Sequence, residues 1–331
     1  MICSGTEFIS PSRTVNINEP ITIDLGERLA YFYPPLSELD SDQNLLVSTS
    51  LYGRLNDKGR MAEFVDPDYL PNRYMVPIGD LDRVVSLVPD KPVFIKASLE
   101  GASGSGRDVF YSSDKTSWQV AISWFIERKG DLNGIVVEDA IDVQTCWCMG
   151  VSILDSGCRY LGAAIQIFDE PARQIGSRID PDNMAPEHAI DISLAIANRA
   201  HKEGYRGIAG FDVGIDNNGH LFVFDLNFRL NACTSQLMIH TSAAERIGAR
   251  ISQTWCTQCD CALTIVLVHL QPFVEKGLFV PTRLFDRNTY LESRPNVEAL
   301  TLVNGIIFAN SIGEIQSIEA SMNEALKYVL K

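Results

Sequence analysis

The sequence predicts an α+β protein built from two lobes. Strand-like runs alternate with one helical pattern between Pro92 and Phe168, which indicates a small mixed β layer with a helix. Two runs rich in Val, Ile, Leu and Phe flank Asn218-Gly219, and Asn-Gly in that context is the strongest short signal of an antiparallel hairpin. The helix between Pro92 and Phe168 is predicted to begin at an Asp114 N-cap and to run through Arg128. The remaining helices are predicted at 187–205, 235–254 and 318–330.

Composition limits the function classes. The 331 residues are 46% hydrophobic and 21% charged, as in a globular protein long enough for two or three lobes. A formal charge of −14 argues against nucleic acid or an anionic membrane as the main partner. No signal peptide and no bilayer-spanning run is evident. The prediction is a cytoplasmic protein with reduced cysteines. The absence of a second ligand pair argues against metal binding by CTQCDC (256–261), and no metal is assigned to it.

The hairpin over 210–231 carries the strongest chemical signal. A type I′ turn at Asn218-Gly219 needs φ > 0 at both central residues and fixes the register of the two strands. The predicted facing pairs are Asn217 with His220, Ile215 with Phe222, and Asp212 with Asp225.

Two facing aspartates on this hairpin indicate a cation site. Directly opposed like charges destabilise a strand pair, and the pleat places Asn227 on the same face as Asp212 and Asp225. Carboxylate and amide oxygens suit a hard ion such as Mg²⁺. The alternative is a solvated outer face on which the two aspartates are merely polar.

A Ser/Gly-rich loop follows the short strand over 92–97. Lys96 stands near the end of that strand, and the loop over 101–106 is rich in backbone N–H groups that can cradle phosphate. The lysine precedes the glycines, so the pattern is neither a Walker A loop nor a Rossmann fingerprint. The alternative is an ordinary flexible loop.

Two further segments carry predictions of their own. Residues 45–51 (LLVSTSL) are predicted to form one buried strand. Residues 169–186 are predicted to form a long polar loop containing Arg173 and Arg178. Loops of that length in compact domains are often functional lids, the alternative being a surface connector.

Three stretches in this order resemble the ATP-grasp superfamily of ADP-forming ligases. They are VFIKASLEGASGSGR, IVVEDAID and FDVGIDNNGHLFVFDLNFRLN, and the resemblance covers about residues 55–240. It implies the ATP-grasp fold, in which two α+β lobes enclose ATP. The implied division is a reduced N-terminal segment over 1–57, a small lobe with linker over 58–168, and a large lobe with the metal hairpin and a C-terminal extension over 169–331.

The resemblance also implies roles for individual residues. Lys96 matches the lysine that contacts the α- and β-phosphates, and Lys58 stands where an earlier ATP lysine falls. Arg229 matches the arginine that meets phosphate or an acyl phosphate. The length and charge of the 169–186 loop, and not the resemblance, give the hypothesis that Arg173 or Arg178 closes over the acyl phosphate. The other implied sets are the phosphate-covering loop (Gly101, Ser103, Gly104, Ser105, Gly106), the adenine-holding linker (Val137, Glu138, Asp139, Ile141) and the metal ligands (Asp212, Asp225, Asn227).

This sequence departs from the family pattern at two positions of the hairpin. Asp225 stands where glutamate is usual, and Phe228 stands where proline is frequent. The acid that contacts the ribose is not assigned, because Asp142 and Gln144 both qualify.

The resemblance implies an ADP-forming carboxylate–amine ligase that uses ATP with Mg²⁺ or Mn²⁺ and passes through an acyl phosphate. We expect amino-acid-like substrates, as in peptide or specialised-metabolite biosynthesis. The expected partners are a small-molecule carboxylate and an amine, with no nucleic acid and no membrane, and with a homodimer left open. The alternatives are a ligase of nucleotide or cofactor biosynthesis and a nucleotide-binding module without catalysis.

Overall fold

A computed structural model describes residues 47–99, 108–293 and 298–327. These residues divide into two compact units. The first unit contains residues 47–175 and 185–234, and the second contains 176–184 and 235–327. Most of the predicted N-terminal segment, residues 1–46, lies outside the described residues, and the predicted division at residues 57 and 168 stays a prediction.

The first unit contains a four-stranded antiparallel sheet in the order β1-β4-β2-β3. Helix α3 packs on this sheet through Trp118, Ile122 and Phe125, which are fully buried. Asp114 caps the helix in a capping box with Ser117, which satisfies N–H groups that the helix itself leaves unpaired. The elements are α1 (Thr49–Asn56), β1 (Arg73–Pro77), α2 (Leu81–Val84), β2 (Val93–Ser98), β3 (Val109–Ser112), α3 (Lys115–Glu127) and β4 (Gly134–Asp139).

The first unit also contains long antiparallel strands in the order β6-β5-β8-β9. One face of these strands is covered by α4 and α1, and the apolar residues between them form the largest core cluster. Phe228, directly after β9, contacts the rings of Phe64, Tyr205 and Phe211. The elements are β5 (Val143–Leu154), β6 (Gly157–Glu170), α4 (Glu187–Lys202), β8 (Gly207–Asp216) and β9 (Leu221–Asn227), and β7 (Arg173–Ile179) is divided between the two units after residue 175.

In the second unit, antiparallel strands follow the order β11-β12-β10, and β10 also pairs with Arg178 and Ile179 of β7. Helices α6 and α8 pack on this layer around a second apolar cluster that includes Trp255, Phe279 and Ile307. The elements are α5 (Thr234–Ile247), β10 (Ile251–Cys259), α6 (Leu263–Glu275), β11 (Phe279–Phe285), α7 (Arg287–Ser293), β12 (Thr301–Ala309) and α8 (Ile312–Leu326).

A neutral network of buried polar side chains links the strands and α5 of the second unit. Gln236 accepts a hydrogen bond from Ser177 Oγ (2.7 Å) and donates to Ser252 Oγ (3.0 Å). Ser252 Oγ also lies 2.8 Å from His240 Nδ1, and the Ser177 N–H donates to Thr254 Oγ1 (2.7 Å). Burial lowers the pKa of His240, so the imidazole is neutral and the network carries no charge.

Three secondary-structure predictions are wrong. The described part of 45–51 begins helix α1, because the Ser48 hydroxyl accepts the Leu51 N–H and caps it. The predicted loop over 169–186 contains strand β7, which lies between β6 and β10 in the sheet and pairs with β10 in antiparallel orientation. The predicted helix over 235–254 ends at Ile247, and Gly248, with φ of +76°, turns the chain into β10.

Within the described parts of the chain, no helix is both long enough and apolar enough to cross a membrane.

Candidate active site

The β8–β9 hairpin places Asp212 directly opposite Asp225, which confirms the predicted pair. The turn itself differs from the prediction. Asn218 does not have the positive φ that a type I′ turn requires, whereas Gly219 has φ of +83°. Gly219 N–H donates to Asp216 O (3.1 Å) and Asp216 N–H donates to His220 O (3.0 Å). A three-residue loop with its glycine in the left-handed region therefore replaces the two-residue type I′ turn.

A β-bulge compensates for the longer loop. Ile215 faces Leu221 rather than Phe222, which is a shift of one residue, and the bulge between Asp212 and Val213 removes that shift. Phe224 is the extra residue of the bulge, and its carbonyl oxygen accepts a hydrogen bond from Lys96 Nζ (2.7 Å). Bulges free a backbone group and re-aim side chains next to functional sites.

The two facing aspartates have different electrostatic states. Burial, and after it the neighbouring Asp225 carboxylate, raise the pKa of Asp212 to about 7, against a hydrogen bond from Gln166 that lowers it. Burial also raises the pKa of Asp225, but Lys58, Lys96 and Arg229 outweigh it and hold that pKa below its usual value. Asp225 is therefore ionised, and Asp212 is the member of the pair that takes a proton near neutral pH.

Lys58 reaches Asp225 from the first turn after α1. Its Nζ lies 3.2 Å from both carboxylate oxygens of Asp225, and its side chain is only 7% exposed. Burial lowers the pKa of this lysine, but the Asp225 and Asp108 carboxylates more than compensate, so the net pKa is raised. The ammonium is therefore fully charged at neutral pH.

Lys96 and Arg73 hold Glu138 from two sides. Lys96 Nζ forms an ion pair with Glu138 Oε2, and Arg73 Nη1 lies 3.1 Å from Glu138 Oε1. The Glu138 side chain is 1% exposed, so its charge depends on these two cations. We call Lys58, Arg73, Lys96, Glu138 and Asp225 the charged cluster.

Arg229 and its strand end are held by Asn56 at the end of α1. Asn56 Oδ1 accepts the Phe228 N–H (3.1 Å) and lies 3.5 Å from Arg229 Nη1. Asn227 and Arg229 are both buried, at 7% and 9% exposure. The predicted site residues at the end of β9 and just after it therefore lie together in the first unit; they are Asp225, Asn227 and Arg229.

Several predicted residues have other surroundings. Val137 is buried in the core of the small sheet, and Asp139 pairs with Lys91 Nζ (2.5 Å). Ile141 is half-buried in the connection from β4 to β5. Asp142, one candidate for the ribose contact, accepts a hydrogen bond from Asn217 Nδ2 (2.9 Å), and Gln144 is exposed. The loop residues Gly101, Ser103, Gly104, Ser105 and Gly106 lie outside the described residues.

The two arginines of the predicted lid do not share one environment. Arg173 is 63% exposed and forms an ion pair with Asp169 at 2.8 Å. Arg178 belongs to the second unit, where its buried Nε has no hydrogen-bond partner in the described part of the chain.

The donor set at the hairpin fits a divalent metal that keeps part of its shell for water or a ligand. Asp212, Asp225 and Asn227 offer two carboxylates and one amide, the oxygen ligands that Mg²⁺ prefers. The buried like-charge pair also calls for a compensating cation. Among the described residues, no group of three or more His, Cys, Asp or Glu side chains could hold a metal ion, so a fully protein-made cage is not what this site offers.

The same region fits a polyanionic nucleotide. Lys58, Lys96 and Arg229 are buried cations, and they collect on a chain whose formal charge is −14. One buried acceptor near Lys58, Asp108 Oδ2, has no hydrogen-bond partner among the described residues. An unmet buried acceptor is costly, and a ligand N–H group can satisfy it.

Sequence reasoning missed several residues that hold the site together. Asp57 is one of them: its Oδ1 accepts the Gly59 N–H (2.8 Å) and the Ser98 hydroxyl (2.7 Å). The Asn-Asp pair before Lys58 was the available signal, because Asn and Asp side chains stabilise turns by bonding nearby N–H groups. The missed residues are Asn56, Asp57, Arg73, Asp108 and Gln166.

Comparisons with known proteins find similar sequences and folds. A family model described as L-aspartate–L-methionine ligase, ATP grasp, matches residues 71–227. N5-carboxyaminoimidazole synthetase from Staphylococcus aureus, complexed with ADP, has a TM-score of 0.60 at 12% identity, over 89% of this chain and 80% of that one.

Two further solved structures are similar to this chain. Carboxyaminoimidazole ribonucleotide synthase from Aspergillus clavatus, complexed with ATP, gives a TM-score of 0.56 at 10% identity, over 83% of this chain and 74% of that one. L-amino acid ligase from Bacillus licheniformis gives 0.50 at 12% identity, over 86% and 74%. At these identities the structural likeness establishes the α+β fold that the sequence predicts.

Proposed function

We propose that this chain is an ATP-grasp ligase, the family whose model matches residues 71–227, and that it joins two L-amino acids by an ATP-dependent, ADP-forming reaction. The observation that carries the proposal is the convergence of buried Lys58 and Lys96 on the hairpin that holds Asp225. That arrangement supports binding of nucleotide phosphates beside a metal-binding pair of carboxylates.

The charged residues support phosphoryl transfer. The carboxylate of one substrate attacks the γ-phosphate of ATP, the bond to ADP breaks, and an acyl phosphate forms. Lys58, Lys96 and Arg229 neutralise the negative charge on the transferring group, which is the main task in this chemistry. A divalent ion held by Asp212, Asp225 and Asn227 supplies further neutralisation of phosphate oxygens when it is bound.

The second step forms the amide. The amine of the other substrate attacks the acyl carbon and inorganic phosphate leaves, so each turnover yields one ADP, one phosphate and one amide. The buried side chains of Arg229 and Lys58 stabilise the negative charge of the departing phosphate. Because they are buried, their electrostatic attraction to it is only weakly screened by water.

The substrate class rests on the comparisons. The matching family model is named for a ligase of L-aspartate and L-methionine, and one similar structure is an L-amino acid ligase. We therefore propose an acidic L-amino acid and an apolar L-amino acid as the first pair to test.

The direct experiment is an ADP-release assay with pairs of L-amino acids, including aspartate with methionine, analysed by mass spectrometry. We expect ADP, phosphate and a dipeptide in equal amounts, and a hydroxamate when hydroxylamine replaces the amine. ADP formed with bicarbonate and without an amino acid would contradict the proposal and favour a carboxylating ligase. Bound ATP without turnover under any pair would favour a nucleotide-binding module.

A pair of variants tests the metal assignment. Asp225→Asn removes the carboxylate that faces Asp212 and pairs with Lys58, so we expect ADP formation to fall about 100-fold or more and the required Mg²⁺ concentration to rise. Asp155→Asn is the matched control, because Asp155 is 94% exposed at the turn between β5 and β6. Full activity in Asp225→Asn would overturn the assignment.

A further inference from the structure

Arg73 connects the two lysines of the charged cluster. It stands on β1 directly opposite Glu138 on β4, and its side chain is 13% exposed. One arm of its guanidinium, Nη2, donates to the Lys58 carbonyl oxygen, while Nη1 lies 3.1 Å from Glu138 Oε1. A single side chain therefore touches the backbone of one lysine and the counter-ion of the other.

This double contact needs a guanidinium. Arginine presents several N–H donors in a rigid planar fork, whereas lysine is a compact point charge on a flexible stem. The two acceptors of Arg73 belong to different segments, so a lysine at this position could satisfy one of them but would leave the other unpaired. The geometry thus distinguishes the two basic residues.

The contact at the Lys58 end completes a frame around that lysine. Asp57 fixes the turn through the Gly59 N–H and the Ser98 hydroxyl. Gly59 has no room for a side chain, since a Cβ there would lie 2.9 Å from Met75 Sδ. Arg73 holds the carbonyl of Lys58, and the ammonium at the far end of the same residue reaches Asp225.

The contact at the Lys96 end sets how Glu138 shares its charge. Glu138 is almost fully buried and is contacted by two cations, Arg73 and Lys96. Without Arg73, Lys96 would have to neutralise the Glu138 carboxylate alone. The stronger attraction to Glu138 would then draw the Lys96 ammonium away from the Phe224 carbonyl oxygen, which it also contacts. With Arg73 in place, part of the positive charge of Lys96 stays available to a ligand.

We propose that Arg73 is the positioning residue of this site, holding Lys58 and Lys96 in the arrangement that binds the phosphates of ATP. The proposal rests on the proposed function only for the identity of the nucleotide. Arg73 does not contact substrate; it acts through the two lysines.

The test measures nucleotide affinity without turnover, by titrating a fluorescent ATP analogue with Mg²⁺ into Arg73→Gln and Arg73→Lys. We expect affinity to fall about 10–100-fold, the size typical of residues that orient ligand-binding groups, with Arg73→Lys at the lower end. In the ligase assay the KM for ATP rises by the same factor, while the KM values for both amino acids stay within twofold. Arg83→Gln is the control, because Arg83 is 83% exposed and its ion pair is with Asp80 on the surface.

Glu138→Gln combined with Arg73→Gln separates positioning from mere folding. The double variant removes the buried carboxylate together with its partner, so we expect its loss of affinity to be smaller than the product of the two single losses. If Arg73→Gln does not fold, Arg73→Lys decides the outcome alone.

Three results overturn the proposal. They are unchanged nucleotide affinity in folded Arg73→Gln or Arg73→Lys, equal increases in all three KM values, and a wild-type protein that binds no ATP. Only the last also removes the proposed function. A wild-type protein that binds ATP but makes no amide would remove the proposed ligation and leave the positioning role of Arg73 to be read from binding.

Discussion

The two units each bury a polar network, and the networks differ in charge. The charged cluster of the first unit contains three cations and two carboxylates, and beside it the buried oxygen Asp108 Oδ2 has no hydrogen-bond partner among the described residues. The neutral network of the second unit consists of hydroxyls, an amide and an imidazole that bond to one another. Burying charges costs far more than burying satisfied neutral groups. We infer that the charged cluster binds a ligand, which compensates its buried charges, and that the neutral network stabilises the fold.

We expect the largest loss of activity from a substitution of Lys96 in the charged cluster. Lys96→Met removes one of the two cations on buried Glu138 and the group predicted to contact phosphate, so we expect ADP formation to fall about 10²–10³-fold. The measurement is the steady-state rate with saturating amino acids and varied ATP. Lys91→Met is the matched control, since Lys91 is 61% exposed and pairs with Asp139. Equal rates in the two variants would refute a ligand role for the charged cluster.

Gln236 gives the converse result, a loss of stability with no loss of nucleotide affinity. Gln236→Leu removes the hydrogen bonds that Gln236 makes to Ser177 Oγ, to Ser252 Oγ and to the Ser252 carbonyl oxygen, and each lost buried hydrogen bond costs about 1 kcal/mol. We expect the free energy of unfolding to fall by about 2–4 kcal/mol, measured by urea denaturation. Met238→Leu on the same helix, at a side chain that is 64% exposed, serves as control. A loss of ATP affinity without a loss of stability would break the comparison.

His240 adds a pH dependence to the neutral network. Its pKa is lowered by burial, so above about pH 6.5 the imidazole is neutral in both states and has no linkage effect. As pH falls through that value, the unfolded chain takes up the proton first and stability declines. The decline amounts to about 1.4 kcal/mol for each unit by which the two pKa values differ.

His240→Asn is therefore expected to lose less stability than the wild type between pH 7.5 and 5, as measured by thermal unfolding. His269 is exposed, and His269→Asn should keep the wild-type decline. Parallel curves for His240→Asn and the wild type would show that this imidazole does not titrate with folding.

The hairpin turn gives the smallest expected effect. Gly219→Ala places a side chain at φ of +83°, which costs about 1 kcal/mol, while the nearest strand pairs keep their register. We expect a slightly lower melting temperature and unchanged ATP affinity in the charged cluster. A large loss of affinity would mean that the turn controls the register of Asp212 and Asp225 more directly than the bulge does.

Helix α3 and the β8–β9 hairpin could be predicted from the sequence, because both depend on residues that are close together in the chain. Hydrophobic periodicity and the Asp114 cap identified α3, and the Asn-Gly turn with flanking apolar runs identified the β8–β9 hairpin. The facing of Asp212 and Asp225 was also predictable, although the assumed turn was one residue too short. Pleat and pairing rules act over a few residues, so they are visible in the sequence.

Residues that are far apart in the sequence complete the site, and they are brought together only by the tertiary packing. The bulge at Phe224 restores the register and frees the carbonyl that Lys96 contacts. Arg73 meets Glu138 because β1 and β4 are neighbours in the sheet, an adjacency that no local pattern encodes. Charges must be compensated where they are buried, and where they are buried depends on how the whole chain packs.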